Sequence, residues 1–334
     1  MSSRNVETVS VALCTYNGAA FIGEQVRSIL AQSRPPDEIV VSDDASVDET
    51  LDIIRRAYEN YRRQSSSGST SLRILKNTIS LGVTANFEQA LSACSGQLIA
   101  LCDQDDVWAA RRLEILITEF DSRPSLLLLH SDARLVDQNG RPTGGGLFRS
   151  LGLRGSELKA VHEGAGLDVL LRRNVVTGAT AMVRSSLVVR SRPFPDSWIH
   201  DEWLAMVAAA TGKIDLLEQP LVDYRQHANN QIGVSALTAG GVWERLIVSR
   251  SDRNQRLLAR ASALAERIAG IQPVVSASTL GKVRAKYSHE IVRSSLPSNR
   301  WYRIMPVLRE ASTGRYTQFG LGLQDVVRDL VQPA

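Results

Sequence analysis

Three acidic clusters stand where this sequence could do chemistry. Asp43-Asp44 closes the apolar run Ile39-Val-Val-Ser42. Asp103-Gln104-Asp105-Asp106 follows Leu98-Ile-Ala-Leu-Cys102 directly. His200-Asp201-Glu202-Trp203 opens an apolar helical pattern. Each has a plain structural reading. Ser46 and Glu49 fit a capping box beside the first cluster, and Asp201 could cap the helix it precedes. The middle cluster is harder to explain by capping, because one cap does not use three mutually repelling carboxylates. A divalent cation held by one or two carboxylates together with substrate phosphates would use them, since Mg²⁺ prefers oxygen ligands. Taken alone the cap is the favoured reading of Asp201, the other being a general base fixed at a helix start. His227, in Tyr224-Arg-Gln-His227, is either a surface residue or a further ligand.

The elements that must position these residues alternate. Val9–Cys14, Glu38–Ser42, Leu72–Leu75 and Leu98–Cys102 read as strands. Between and after them, Ala19–Gln32, Asp48–Arg63, Ala85–Ala93 and Leu113–Asp121 read as helices. That alternation predicts an α/β fold with a mostly parallel central sheet and helices on both faces. In such sheets ligands bind beyond the carboxyl ends of the strands, where the acids lie. Gln64–Ser71 reads as a flexible connection and Gln138–Gly155, with its three consecutive glycines, as a mobile loop. Val175–Val183 and Ile214–Tyr224 read as later strands flanking a helix at Glu202–Thr211. From Trp243 onward the pattern is mainly helical, with apolar Leu246, Ile247, Leu257, Leu258, Ala261, Leu264 and Ile268.

Composition narrows the classes. A chain of 334 residues with 43% hydrophobic and 22% charged residues has material for a sizeable core, which excludes wholesale disorder. Three cysteines, Cys14, Cys94 and Cys102, are too few for a disulfide framework and suggest a reducing, cytoplasmic setting. No apolar stretch approaches the ~20 residues of a spanning helix, and Met1–Thr8 does not read as a secretory signal. The net charge of +4 is divided unevenly: from Gly241 onward 15 basic residues face 7 acidic ones, against 24 and 28 before it. A mildly acidic body with a basic tail hints at an anionic partner. Nucleic acid is disfavoured, because no basic–aromatic stacking platform is visible. Neither a G-x-G-x-x-G after the first strand nor a phosphate-binding G-x-x-x-x-G-K-[S/T] is present.

Six segments, in order, resemble the inverting family 2 glycosyltransferases of the GT-A fold, and more closely the bacterial rhamnosyltransferase-like members that build surface polysaccharides. They are Val11-Ala-Leu-Cys-Thr-Tyr-Asn-Gly18, Val40–Asp48, Leu101–Trp108, Thr177-Gly-Ala-Thr-Ala181, His200–Trp203 and Tyr224–Asn230. The resemblance implies a GT-A domain at 1–235, with a nucleotide-sugar half at 1–107 and an acceptor half at 108–235. Residues 236–334 match no family motif and are read as a basic helical extension. Thr15, Tyr16 and Asn17 would line the nucleotide site, Asp43 or Asp44 would meet the base, and Asp103 would lie near the ribose. Asp105 would hold Mg²⁺ or Mn²⁺ on the diphosphate, with His227 a further metal or phosphate contact, and Asp201 would be the catalytic base. The donor would be a TDP-, UDP- or GDP-sugar, rhamnose being favoured by the closeness of the resemblance. The acceptor would be a glycan or lipid-linked glycan at the inner face of the cytoplasmic membrane. Ala45 departs from relatives that carry Gly after the two acids, a change tolerated unless φ there is positive. The basic tail fits an anionic leaflet, or else Arg253, Arg256 and Arg260 form a solvated face or a self-association contact.

Three alternatives use fewer of these residues. Asp103-x-Asp105-x-Val107 fits a haloacid-dehalogenase-like phosphatase, but that motif belongs after a first strand. A sugar nucleotidyltransferase would need a Gly-rich signature where only Gly18 stands. A silent nucleotide- or glycan-binding protein leaves Asp103, Asp105 and Asp201 without purpose.

Overall fold

The computed structural model describes residues 7–64, 70–227, 249–271 and 275–333. The expected change of domain near residue 235, and Asn229, Asn230, Leu246 and Ile247, lie outside the described residues. The first half runs β1 (Val9–Thr15), α1 (Ile22–Leu30), β2 (Glu38–Asp43), α2 (Thr50–Gln64), β3 (Ser71–Lys76), α3 (Val83–Ala93) and β4 (Leu98–Cys102). Then come β5 (Val107–Trp108), α4 (Arg112–Ser122), β6 (Leu126–Val136), β7 (Pro142–Gly146), α5 (Leu147–Ser150), α6 (Gly155–His162) and α7 (Gly166–Arg172). A 3₁₀ turn at Gly178–Thr180 leads into β8 (Ala181–Arg184), α8 (Ser185–Ser191), α9 (His200–Thr211) and β9 (Lys213–Arg225). The tail holds α10 (Arg250–Gly270), α11 (Ala277–Ser294), α12 (Arg300–Ser312), α13 (Arg315–Phe319) and α14 (Leu323–Val331).

One sheet of nine strands carries the order β3-β2-β1-β4-β8-β6-β9-β5, with β7 on β6. The expected parallel pairing holds for β3, β2, β1 and β4. Beyond them the sheet mixes: β8 is antiparallel to both neighbours, while β6 and β9 run parallel. Strand β1 is buried along its whole length, as a central strand covered on both faces must be. Its side chains alternate between two cores. Ala12 and Cys14 join Phe87, Trp203 and Val207, whereas Val11 and Leu13 join Ile22, Ile54 and Leu116. Helices therefore cover both faces. In α1 the buried Ile22, Val26, Ile29 and Leu30 follow the helical repeat and pack on the sheet with Val11 and Leu13.

Two expectations change. The segment 138–155 is not simply loop, because it pairs β7 with β6 and forms α5. The strand expected at Val175–Val183 is shorter, and its first part is the 3₁₀ turn that reaches α9. The tail is no detached appendage, since Leu264, Ile268, Val283 and Phe319 enter the same core as Trp203 and Val207. Nor do its first arginines form a free basic face. Arg253 pairs with Asp329 at 2.6 Å and Arg260 with Glu202, which leaves Arg256 exposed.

His130, on β6, is 1% exposed, and neither ring nitrogen has a partner among the described residues. Burial holds its pKa down at about 4. Between pH 6.5 and 4 the unfolded chain therefore takes up a proton that the folded chain refuses, so stability falls as pH falls through that window. Buried His200 and His289 are shifted the same way. His130→Leu should remove about 3 kcal/mol of that pH dependence, read by thermal melts from pH 7 to 4.

Candidate functional site

The site forms where β1, β2, β4 and β9 end and α9 begins. Just after β1, Gln104 clamps the backbone of Tyr16, accepting from its N–H at 2.8 Å and donating to its carbonyl at 3.1 Å. Gly18 makes this clamp fit, because a Cβ there would come within 2.2 Å of the Gln104 amide oxygen. Tyr16 and Asn17 are left exposed at the rim. Asn17 adopts φ 47° and ties down the next loop: its side-chain oxygen accepts from the N–H of Val47, while its own N–H donates to the Ser46 hydroxyl.

Thr15 and Asp43 behave differently from expectation. Asp43 is fully buried, and its carboxylate accepts from the Thr15 hydroxyl at 2.8 Å, the Ser46 hydroxyl at 2.6 Å and the Ser46 N–H at 3.0 Å. Buried with three hydrogen bonds, one to Thr15 and two to Ser46 in its own loop, it braces the site from beneath, as does the buried Thr15. Asp44 is engaged too, holding Ser80 and the N–H groups of Leu81 and Gly82 ahead of α3. The pair therefore ties the rim together, Asp43 to the loop that follows β2 and Asp44 to the start of α3. Ala45 sits at φ +66°, the condition under which its departure from glycine carries strain. That region costs an L-residue roughly 1–2 kcal/mol, partly offset by the extra freedom glycine has when unfolded. Ala45→Gly should therefore raise stability by about 0.5–1 kcal/mol; an unchanged or lower denaturation midpoint would count against it.

The acid loop after β4 is the centre. Burial, then the charges of Asp105 and Asp201, push Asp103 up to about 8. Asp106 is 1% exposed, raised by burial and by both neighbours, and one of its oxygens has no partner among the described residues. Beneath it lies Arg112, fully buried over the Trp108 ring at 3.9 Å, its pKa lowered by burial to about 10. Tyr224 is also raised, by burial and then by Asp103, Asp106, Asp105 and Asp201. The acids that lie a hundred residues apart in sequence thus share one electrostatic environment.

The end of β9 closes this loop. Arg225 donates from its backbone N–H to Asp106 at 3.0 Å and from its guanidinium to the carbonyls of Asp105 and Gln138 and to Glu24. Two residues on, His227 Nε2 lies 2.8 Å from Asp105 Oδ2, and its ring stacks on Phe21 at 4.8 Å. Arg225, Glu24, Phe21 and Gln104 were not singled out from sequence. Only Arg225 and Gln104 sat inside a quoted motif, where a buried strand-end arginine facing an acidic loop was the available signal.

Asp201 occupies the first turn of α9. One carboxylate oxygen accepts from the N–H of Gly178 at 2.8 Å and the other from Glu202 at 2.7 Å. Gly178 must stay small, since a Cβ would lie 2.9 Å from His200 Nε2 and 3.2 Å from Asp201 Cβ. His200 stacks flat on Phe87 at 3.7 Å, fixing the helix start against α3. Each Asp201 oxygen keeps a lone pair for a proton. From the tail, Arg260 pairs with Glu202 and lies over Trp198 at 3.9 Å, so α10 buttresses the same turn.

A divalent cation fits this donor set. Among the described residues no three Asp, Glu, His or Cys side chains form a cage by themselves. Asp105 and His227 do converge, beside an acid cluster whose mutual repulsion a cation would relieve. A coordination sphere completed by phosphate oxygens is how Mg²⁺ is commonly held.

Comparison with known proteins gives a consistent picture. Residues 10–175 match the profile of Glycosyl transferase family 2. An uncharacterized protein of Mycobacterium tuberculosis (strain ATCC 25618 / H37Rv) is 26% identical over 230 residues, 66% of this chain and 59% of that protein. The chain thus spans 59% of the length of this relative. An uncharacterized glycosyltransferase of Nostoc sp. (strain PCC 7120) is 24% identical over 238 residues, 69% of each chain. The crystal structure of S. aureus TarS 1-349 in complex with UDP-GlcNAc superposes with a TM-score of 0.56 at 18% identity, covering 91% of this chain and 81% of that one.

Proposed function

We propose, on the premise that this chain carries a Glycosyl transferase family 2 domain at residues 10–175 on a GT-A fold, that it is an inverting, metal-dependent glycosyltransferase. It would move a sugar from a nucleoside-diphosphate donor to a glycan acceptor in surface polysaccharide synthesis. The observation that supports this reading is the shared electrostatic environment of Asp103, Asp105 and Asp201, brought together by the loop after β4 and the first turn of α9. In this reading the exposed Tyr16 and Asn17 would form the nucleotide-binding rim and Asp201 the base at a helix start.

In this reading Tyr16 and Asn17 meet the nucleotide, on a rim braced by Thr15, Asp43 and Asp44, and Asp103 lies near the ribose. Asp105 and His227 are the groups that would hold Mg²⁺ or Mn²⁺ against the diphosphate. When bound, that ion supplies Lewis-acid neutralisation of the charge on the departing group. Asp201 accepts the proton of an acceptor hydroxyl as that oxygen bonds to the anomeric carbon. The bond to the diphosphate breaks with its electron pair leaving on the diphosphate oxygen. The Gly178 and Glu202 N–H groups hold the Asp201 carboxylate in one orientation, which favours attack by a positioned hydroxyl. One base and an in-line displacement give inversion.

The finer proposal is a TDP-rhamnose donor, with UDP- and GDP-sugars as the competitors, and an acceptor on a lipid carrier at the inner membrane face. Among the described residues no helix is long and apolar enough to cross a membrane. The test is to incubate the protein with TDP-rhamnose, UDP-sugars and GDP-sugars in turn and follow release of the diphosphate. The anomeric proton of the product is then read by NMR. Inverted product from one donor is expected; retained configuration would overturn the mechanism.

A further inference from the structure

We propose that the outward face of α12 and α14 is a docking surface for an anionic lipid bilayer. The proposal rests on the C-terminal helices alone and would stand without the transferase reading.

These two helices pack on each other and share a small apolar core, yet leave large apolar side chains on their outward face. In α12 the inward residues are Arg303, Val307 and Glu310, whereas Trp301, Tyr302, Met305 and Leu308 are 79%, 71%, 58% and 53% exposed. In α14 Asp325 and Asp329 are buried and Val326 and Leu330 pack on the cluster of Val307 and Tyr316, whereas Leu323, Val327 and Val331 face out at 77%, 43% and 51%. Residues 301, 305 and 308, and 323, 327 and 331, fall on single helical stripes. Exposed apolar residues are ordinary when scattered; two adjoining stripes are an interaction surface.

Charge identifies the occupant. Four acidic residues lie between 277 and 331, namely Glu290, Glu310, Asp325 and Asp329, and all four are buried. The interior holds them: Arg293 and Arg253 pair with Asp329, Lys286 with Glu290, and His289 with Glu310. The exposed charged residues of the same stretch are all arginines, Arg284, Arg300 and Arg309. Arg300 and Arg309 stand near the two ends of the α12 stripe. The module therefore turns its anionic groups inward and presents aromatic, aliphatic and cationic groups outward. That is the composition of a helix lying in a lipid interface, with tryptophan and leucine in the boundary and arginine at the headgroups. A second copy of this chain would be a poorer occupant, because an isologous contact would bring the same arginines together.

The test uses the full chain in co-sedimentation with phosphatidylglycerol-containing vesicles and with phosphatidylcholine vesicles. Binding to the former is expected, weakening as salt rises. Trp301→Ser combined with Met305→Ser and Leu308→Ser should lower partitioning by at least roughly tenfold. Arg300→Gln with Arg309→Gln should lower binding to the anionic vesicles by roughly 30-fold. Both sets of residues are solvent-facing, so melting temperature and nucleotide binding should be unchanged. Those readouts separate loss of this surface from loss of fold or of the cleft. Should the triple variant fail to fold, the arginine pair decides alone. Absence of vesicle binding by the unaltered chain, or unchanged binding by the arginine pair, would overturn the proposal. So would sedimentation velocity showing a dimer that the triple variant dissociates, in a chain that ignores vesicles.

Discussion

Asp201→Asn should reduce sugar transfer by roughly 10²–10⁴-fold, the usual contribution of a positioned general base, while nucleoside diphosphate binding stays near that of the unaltered chain. The asymmetry follows from placement. Asp201 sits in the first turn of α9 and is oriented by the N–H groups of Gly178 and Glu202. The proposed nucleotide rim, by contrast, is built from the ends of β1 and β2. The amide retains one acceptor but turns a donor towards one of those N–H groups, so a small loss of stability should accompany the kinetic effect. A thermal melt measures it separately. If the variant transfers sugar at near the original rate, Asp201 is a helix cap and the base lies elsewhere.

Asp105→Ala should fail one step earlier. Removing this carboxylate takes away one of the two groups that would hold the cation and leaves His227 without its 2.8 Å partner. Mutating even an outer-shell partner of a metal typically costs 10–100-fold in affinity or activity, so a direct ligand should cost at least roughly 100-fold in metal-dependent nucleotide binding. Titration of the diphosphate with and without Mn²⁺ reads it. Equal binding in both proteins would remove Asp105 from the metal site.

The parts of the site that could be read from sequence were those whose chemistry is carried by residue type at the end of a strand or the start of a helix. Asp103, Asp105 and Asp201 stand out because carboxylates are costly to crowd, and the alternating strands and helices said where a parallel sheet would gather them. What stayed hidden depends on contacts across the chain. Nothing near Asp43 announces that Thr15, 28 residues away, donates to it and ties β1 to β2 beneath the rim. The Arg225 clamp on the loop of Asp105 and Asp106 spans about 120 residues, and the Gln104 clamp on Tyr16 spans 88. The sign of φ at Ala45 is set by the Asp43–Ser46 turn and its ties to Asn17. The tail misled for a related reason. Its charge was visible, but Arg253 and Arg260 spend theirs on Asp329 and Glu202, and the outward apolar stripes of α12 and α14 appear only once the inward residues are known.

The central claim is that the acid loop after β4 and His227 form a metal-dependent diphosphate site. Calorimetric titration of UDP, TDP and GDP into the protein, with and without Mg²⁺ or Mn²⁺, tests it most directly. The account predicts that one diphosphate binds, that binding needs the cation, and that Asp105→Ala abolishes it. A folded protein that binds none of the three, with either metal, would contradict it.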